Sequence, residues 1–340
     1  MSQTLRVAVA GAGVFGLTSA LALARGGARV TLHDPGPADA NASAVAAGML
    51  APFSEALTDP AAAPHLDLLV AAQALWPDFA ATFGIGLDRS GAVLLGDAGR
   101  LARLRAAGQA LGLDTARLDL TGLPHLGGGY GPEVTGGLEV GGDWRVDAGA
   151  LVRLAEAARR LGVRRLSAPP DSADHDLSVV ATGASLDYLA LAPELARLTP
   201  IRGHILRYLG LAYEGPVLRG PGAYAAPSAE GLLIGATMEV GQGRAGVDPD
   251  IASDLAARAE LVFPGLKGQA WTAASGVRAA TPDGLPLVGS SERPGLILAC
   301  GARRNGWLLA PLVGEVVAAC AFGREPGPWA DLMAPRRFRA

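Results

Sequence analysis

The chain opens on a short apolar run, Leu5 to Ala10, of the kind shown by a strand buried on both faces. From Leu17 to Arg25 the apolar positions switch to helical spacing, and Gly26-Gly27 supplies a stop at the C-terminal end. A second short run, Arg29 to His33, predicts another strand. Strand, helix and strand in this order begin a parallel α/β sheet. Farther on, VLLGDAGRLARLRAAGQALGL (93–113) starts as a strand and becomes an amphipathic helix. RVDAGALVRLAEAARRLGV (145–163) repeats apolar positions at i, i+3 and i+4, with Asp147 as the expected N-cap. After it, PPDSADHD (169–176) reads as a tight solvated loop. AYAAP (223–227) and LLIGATMEV (232–240) predict strands of a second sheet. No internal repeat or long low-complexity linker is evident.

Composition narrows the class. With 340 residues, half of them apolar, the chain is long enough for two or three domains. A net charge of −3 gives no electrostatic footprint for nucleic acid or an anionic membrane. Cys300 and Cys320 lie far from each other and match no metal spacing, so both are expected to pack as small apolar residues in a reducing compartment. No basic segment followed by a long apolar stretch opens the chain, and no apolar run reaches the ~18 residues of a membrane helix. A cytoplasmic protein without a membrane span is therefore expected.

The candidate chemistry starts between the first strand and helix. Gly11, Gly13 and Gly16 have G-x-G-x-x-G spacing around Val14 and Phe15. The first glycine suits a tight turn, the second a close backbone approach to a pyrophosphate, and the third close helix–strand packing. The helix N-terminus offers free N–H groups to phosphate. Asp34, at the end of the second strand, is placed to accept ribose hydroxyls. A dinucleotide site follows. The acid disfavours NADP but does not separate NAD from FAD. His33 is expected at a partly exposed strand end. His175, between Asp174 and Asp176, fits no metal spacing. NASAVAAGMLAP (41–52) is small and uncharged and includes Ser43, Ala47, Gly48 and Met49. It either lets backbone approach a flat ring or forms a short helix capped by Asn41 or Ser43. Near the C-terminus, Arg303 and Arg304 interrupt the apolar LILACGARRNGWLLAPLVG. An unpaired guanidinium in a dry interior costs several kcal/mol, so each needs solvent or an anion.

At this point the sequence resembles the FAD-dependent D-amino-acid oxidase family, closest to its glycine oxidase branch of the thiamine-biosynthesis type. ASAVAAGMLAP resembles the family's flavin-contacting segment, and VVATG (179–183), ending at Gly183, its late strand. SGVRAATPDGLPLVG (275–289) is similar to the family's GLRPxTPDGxPxIG block, and CGARRNGWLLAP (300–311) to its GHxRNGxLLAP block. The blocks follow family order across residues 6–320.

The resemblance implies FAD, held noncovalently because no cysteine stands between Thr272 and Pro282, where some relatives attach it. It places Arg278 and Tyr224 on the substrate carboxylate. Arg304, Asn305 and Gly306 fall beside substrate and flavin, with Trp307 and Leu308 continuing the same segment. Met238, Met49 and Ala302 fall near the substrate pocket. For Arg304 the alternative is an ion pair with a helix acid, and Arg303 is expected to be solvated. The implied activity is oxidation of a small amino acid (glycine, a small D-amino acid or sarcosine) by hydride transfer to flavin N5. Imine, 2-oxo acid, ammonia and hydrogen peroxide would follow, with molecular oxygen as partner. The alternative is a dehydrogenase or demethylase using another acceptor or a larger secondary amine. A homo-oligomer is compatible with the resemblance. The implied fold is a doubly wound, Rossmann-like FAD domain (1–85, 142–200 and 276–330) interleaved with an α+β substrate domain on an antiparallel sheet (86–141 and 201–275). Residues 331–340 would form a tail. Two departures stand out: a shortened region at 164–178, and Ala302 where the family usually has histidine.

Overall fold

A computed structural model describes residues 4–37, 41–171 and 174–338. Among these residues, two large sheets and a small one carry the fold. The first large sheet has six strands in the order Leu287–Ser290, Leu296–Cys300, Leu177–Val180, Arg6–Ala10, Arg29–His33 and Arg164–Leu166. All pairs are parallel except the edge pair, where Leu287–Ser290 runs against Leu296–Cys300. The central strands are apolar because both of their faces are covered. The helix Val14–Arg25 packs on the C-terminal helix Gly306–Ala321, and closely: a Cβ at Gly314 would lie 2.9 Å from the Thr18 carbonyl oxygen.

The second sheet has nine strands. Its centre is the long strand Thr199–Leu209, which pairs antiparallel with Gly231–Gly235 and with Thr272–Ala280. Tyr224–Ser228 continues the sheet beyond Gly231–Gly235. The helix Pro249–Val262 covers a separate core centred on Leu206, Tyr208 and Phe263. The two large sheets touch where Ala280 bridges to Ala302 and the Arg303 N–H donates to the Ala279 carbonyl at 2.7 Å. The third sheet joins Met49–Leu50, Trp144–Val146 and Leu87–Asp88. No helix among the described residues is long and apolar enough to cross a membrane.

Four local expectations need correction. The first helix begins at Val14, not Leu17, because the fingerprint residues themselves make its first turn behind Gly13. The helix expected from Asp147 starts at Ala150. Asp147 does not cap it, because its carboxylate accepts instead from the Gly149 N–H (2.9 Å) and the Gly86 N–H (2.7 Å). His33 is buried rather than partly exposed, because the shortened region folds over it. There Arg164–Leu166 adds an edge strand, and His33 Nδ1 lies 2.8 Å from the Ala168 carbonyl oxygen. His175 is half-buried rather than solvated, its ring standing edge-on to His33 with centroids 5.5 Å apart.

Candidate functional site

A cavity of about 750 Å³ opens at the C-terminal ends of the parallel strands, where α/β sheets place ligands. One end is walled by Gly11, Gly13, Val14, Phe15 and Asp34, the other by Arg278, Arg303 and Arg304. Gly183, Ala302, Gly306 and Trp307 line the space between.

The fingerprint glycines have different reasons to be glycine. Gly11 has φ +101°, and a Cβ there would overlap the Ala181 carbonyl. At Gly16 a Cβ would collide with the Gly11 carbonyl, so the turn would not close. At Gly13 the nearest atom to a Cβ is Ser43 Oγ at 3.4 Å, so protein packing does not exclude a side chain. What a side chain at Gly13 would obstruct is the cavity. Asp34 is fixed by the N–H groups of Ala12 (2.6 Å) and Gly36 (2.8 Å), with Arg165 at 3.7 Å. The shortened region thus contributes to this end after all, and Ser167, Ala168 and Pro169 line it.

Asn41, not Ser43, caps the short helix Ala42–Val45 by accepting from the Ser43 and Ala44 N–H groups. Ser43 Oγ is then left to accept from the Val14 N–H at 3.0 Å. Trp307 Nε1 donates to the Ser43 carbonyl at 3.1 Å, tying this segment to the C-terminal helix. Residues 47–49 turn away from the cavity. Gly48, at φ +70°, accepts from the Val146 N–H, and Met49 pairs with Arg145, its Sδ 3.1 Å from Arg219 Nη2. Asn305 starts the C-terminal helix through its backbone alone. Leu308 lies in the core, where its carbonyl accepts from Trp76 Nε1 at 3.1 Å.

Met238 is elsewhere. Thr237 and Glu239 turn inward to the buried His204, so strand alternation turns Met238 out. It is 43% exposed and borders a separate hollow with Ile251, Ala257 and Leu261.

The arginines form a cluster with acids the sequence reading missed, in which Arg219, Glu55 and Asp59 are buried. Arg304 presents Nε 3.1 Å from Glu55 Oε2 and Nη2 3.2 Å from Glu55 Oε1. Arg219 Nη1 donates to the same Oε1 at 2.8 Å. Arg303 is not solvated: it adopts φ 46° and pairs with the buried Asp59. The signal was present in PFSEALTD, where Glu55 and Asp59 are four residues apart and share one helix face. Burial alone raises the Glu55 carboxyl, but Arg304 and Arg219 outweigh it and hold it below the usual carboxylate range. Asp143 accepts from the Phe53 and Ser54 N–H groups at the start of that helix. Burial pushes Asp143 up to about 6 against the opposing pull of Arg219.

Arg278 differs from its neighbours. No carboxylate pairs with it among the described residues, and its Nη1 only meets the Thr237 carbonyl at 3.3 Å. Gly203 makes room for it, since a Cβ there would lie 2.7 Å from the guanidinium carbon. Burial lowers its affinity for a proton, and Arg304 adds to that. Tyr224 is adjacent in charge terms. Burial raises its phenol and Arg278 opposes the rise, while the ring lies over Gly235, its partner across the strands. Tyr224 is not itself a wall of the main cavity. Burial also pushes the Cys300 thiol up to about 11, so it packs as a neutral apolar group.

Residues 6–320 match the family described as FAD dependent oxidoreductase. The chain is 31% identical to glycine oxidase of Geobacillus kaustophilus over 94% of this chain and 93% of that protein. It is 29% identical to the bifunctional protein ThiO/ThiG of Synechocystis sp., over 99% of this chain and 55% of that longer protein. The crystal structure of the Geobacillus kaustophilus glycine oxidase superposes with a TM-score of 0.84 at 26% identity, covering 99% of this chain and 100% of that one.

Proposed function

Because the chain belongs to the family of FAD-dependent oxidoreductases and is of the glycine oxidase type, we propose that it oxidises the C–N bond of a small amino acid. Glycine, a small D-amino acid or sarcosine is the substrate class. The residues present fit FAD. The open side at Gly13 faces the cavity, Asp34 is fixed at the ribose end, and the cavity runs on to the arginines. FAD, when bound, supplies the two-electron acceptor for the oxidation.

Arg278 takes the substrate carboxylate in a bidentate grip, and the Tyr224 hydroxyl donates to the same group. This holds the α-carbon in one orientation. Arg304 contributes fixed positive charge at the cavity wall, beside the N-terminus of the helix Gly306–Ala321. Oxidation of the amine gives an imine, which water hydrolyses to a 2-oxo acid and ammonia, or to a 2-oxo acid and methylamine when the substrate is sarcosine. Oxygen takes the electrons and leaves as hydrogen peroxide. Residues 1–85, 142–200 and 276–330 serve the cofactor and residues 86–141 and 201–275 the substrate, within a cytoplasmic enzyme.

The observation that carries this reading is the half-buried Arg278 at the cavity wall, with no carboxylate partner among the described residues. The test is an anaerobic titration of the FAD-loaded protein with glycine, sarcosine and D-alanine, followed by admission of air. Bleaching of the flavin band by one of them, with recovery and peroxide in air, is the expected result. Bleaching by none of them removes the substrate assignment. Dye reduction without peroxide selects a dehydrogenase instead.

A further inference from the structure

Four guanidinium groups meet in one cluster, those of Arg219, Arg278, Arg303 and Arg304. Three carboxylates face them: Glu55, Asp59 and Asp143. One positive charge is left over, and it sits on Arg278. Arg304 also lines the cavity and is electrostatically coupled to Arg278, so it would otherwise be a second anchor for an anion. Glu55 removes that option by taking both the Nε and Nη2 edges of Arg304. Its Oε1 also receives Arg219, while Oε2 makes no hydrogen bond and has only its 3.1 Å ion-pair contact with Arg304. Arg303 is occupied in the same way by Asp59, from the same helix.

Resting on the carboxylate role proposed for Arg278, we propose that Glu55 determines specificity by occupying Arg304, and so restricts the site to substrates with a single carboxylate. A diacid would need a second free guanidinium and finds Arg304 already neutralised. It would also bring a second negative charge toward Glu55, which stays ionised in this cluster, and like charges repel. Glu55 acts here through Arg304, as a positioning residue, and not by touching substrate.

The test uses FAD-loaded protein and carboxylates that cannot be oxidised: acetate against malonate and succinate. Binding is read by perturbation of the flavin spectrum and by calorimetry. Wild type is expected to prefer acetate. In Glu55→Gln the preference should move toward the diacids by about tenfold or more, the worth of one charged hydrogen bond. Glu55→Asp, which keeps the charge, should retain the wild-type preference. A folded Glu55→Gln protein with an unchanged acetate-to-diacid ratio overturns the proposal. If that variant does not fold, wild type still decides, because diacid binding equal to or tighter than acetate sinks it. Wild type that binds none of the three overturns the Arg278 reading itself, and this inference with it.

Discussion

Arg278 is half-buried with one carbonyl for a partner among the described residues, and a partly desolvated cation without a counter-charge costs stability until an anion arrives. Replacing it should therefore separate stability from function. Arg278→Gln is expected to raise KM for the amino-acid substrate about a hundredfold, the loss of a bidentate charged contact. The denaturation midpoint of the FAD-free protein should hold or rise, because a partly desolvated cation without a counter-charge has gone. A variant with unchanged KM would remove Arg278 from the substrate site. Asp143 carries a second residue-scale consequence. Its carboxyl is raised from an ordinary 3.8 to about 6, so between those values the folded state binds more protons than the unfolded one. Stability from this group therefore falls as pH rises from 3.8 to about 6 and stays low above that, by up to about 3 kcal/mol at ~1.4 kcal/mol per unit. Asp143→Asn keeps an oxygen for the Phe53 N–H and should lose that slope. Denaturation midpoints at pH 4 and pH 7 for both proteins check it, and an unchanged slope in the variant would assign the fall to another group.

At the scale of elements, the first strand, helix and second strand were readable because their signals are local. The apolar run, the glycine spacing and the strand-end acid lie within thirty-odd residues, and each has a steric or electrostatic reason visible in the chain. Gly16 shows how strict that reason is. A Cβ there meets the Gly11 carbonyl, so Gly16→Ala must open the turn or shift the helix. It should lower stability by about 1–3 kcal/mol and weaken FAD binding by at least tenfold. Urea denaturation and FAD titration measure the two effects, and retention of both would contradict the overlap. The acids of Pro52–Thr58 were not read in advance, although PFSEALTD contains them. Acids four residues apart look like a solvated helix face until the arginines from residues 219, 303 and 304 are brought onto them. That pairing spans well over a hundred residues and depends on the tertiary fold alone. Asp147 was misread for the opposite reason, since the cap pattern was correct locally and a partner from Gly86 took the carboxylate.

For the whole molecule, the two large sheets meet at the cavity. Thr272–Ala280 belongs to the second sheet and delivers Arg278, while the loop after Leu296–Cys300 belongs to the first and delivers Arg303 and Arg304. The bridge from Ala280 to Ala302 joins them. The resemblance placed Arg278 and Arg304 beside a common ligand and left open an ion pair of Arg304 with a helix acid, but the sequence named neither that acid nor the partner of Arg303. They are Glu55 and Asp59. A ligand that fills this cavity touches both sheets, and its binding energy should therefore be shared between them. FAD at a hundred times its dissociation constant adds about 2.7 kcal/mol to the folded state. Hydrogen exchange should slow in the fingerprint strand Arg6–Ala10 and, by a comparable factor, in Thr272–Ala280, although only the first carries the dinucleotide motif. Protection confined to the first sheet would mean that the two sheets open independently. The arginines would then be assembled only when substrate binds.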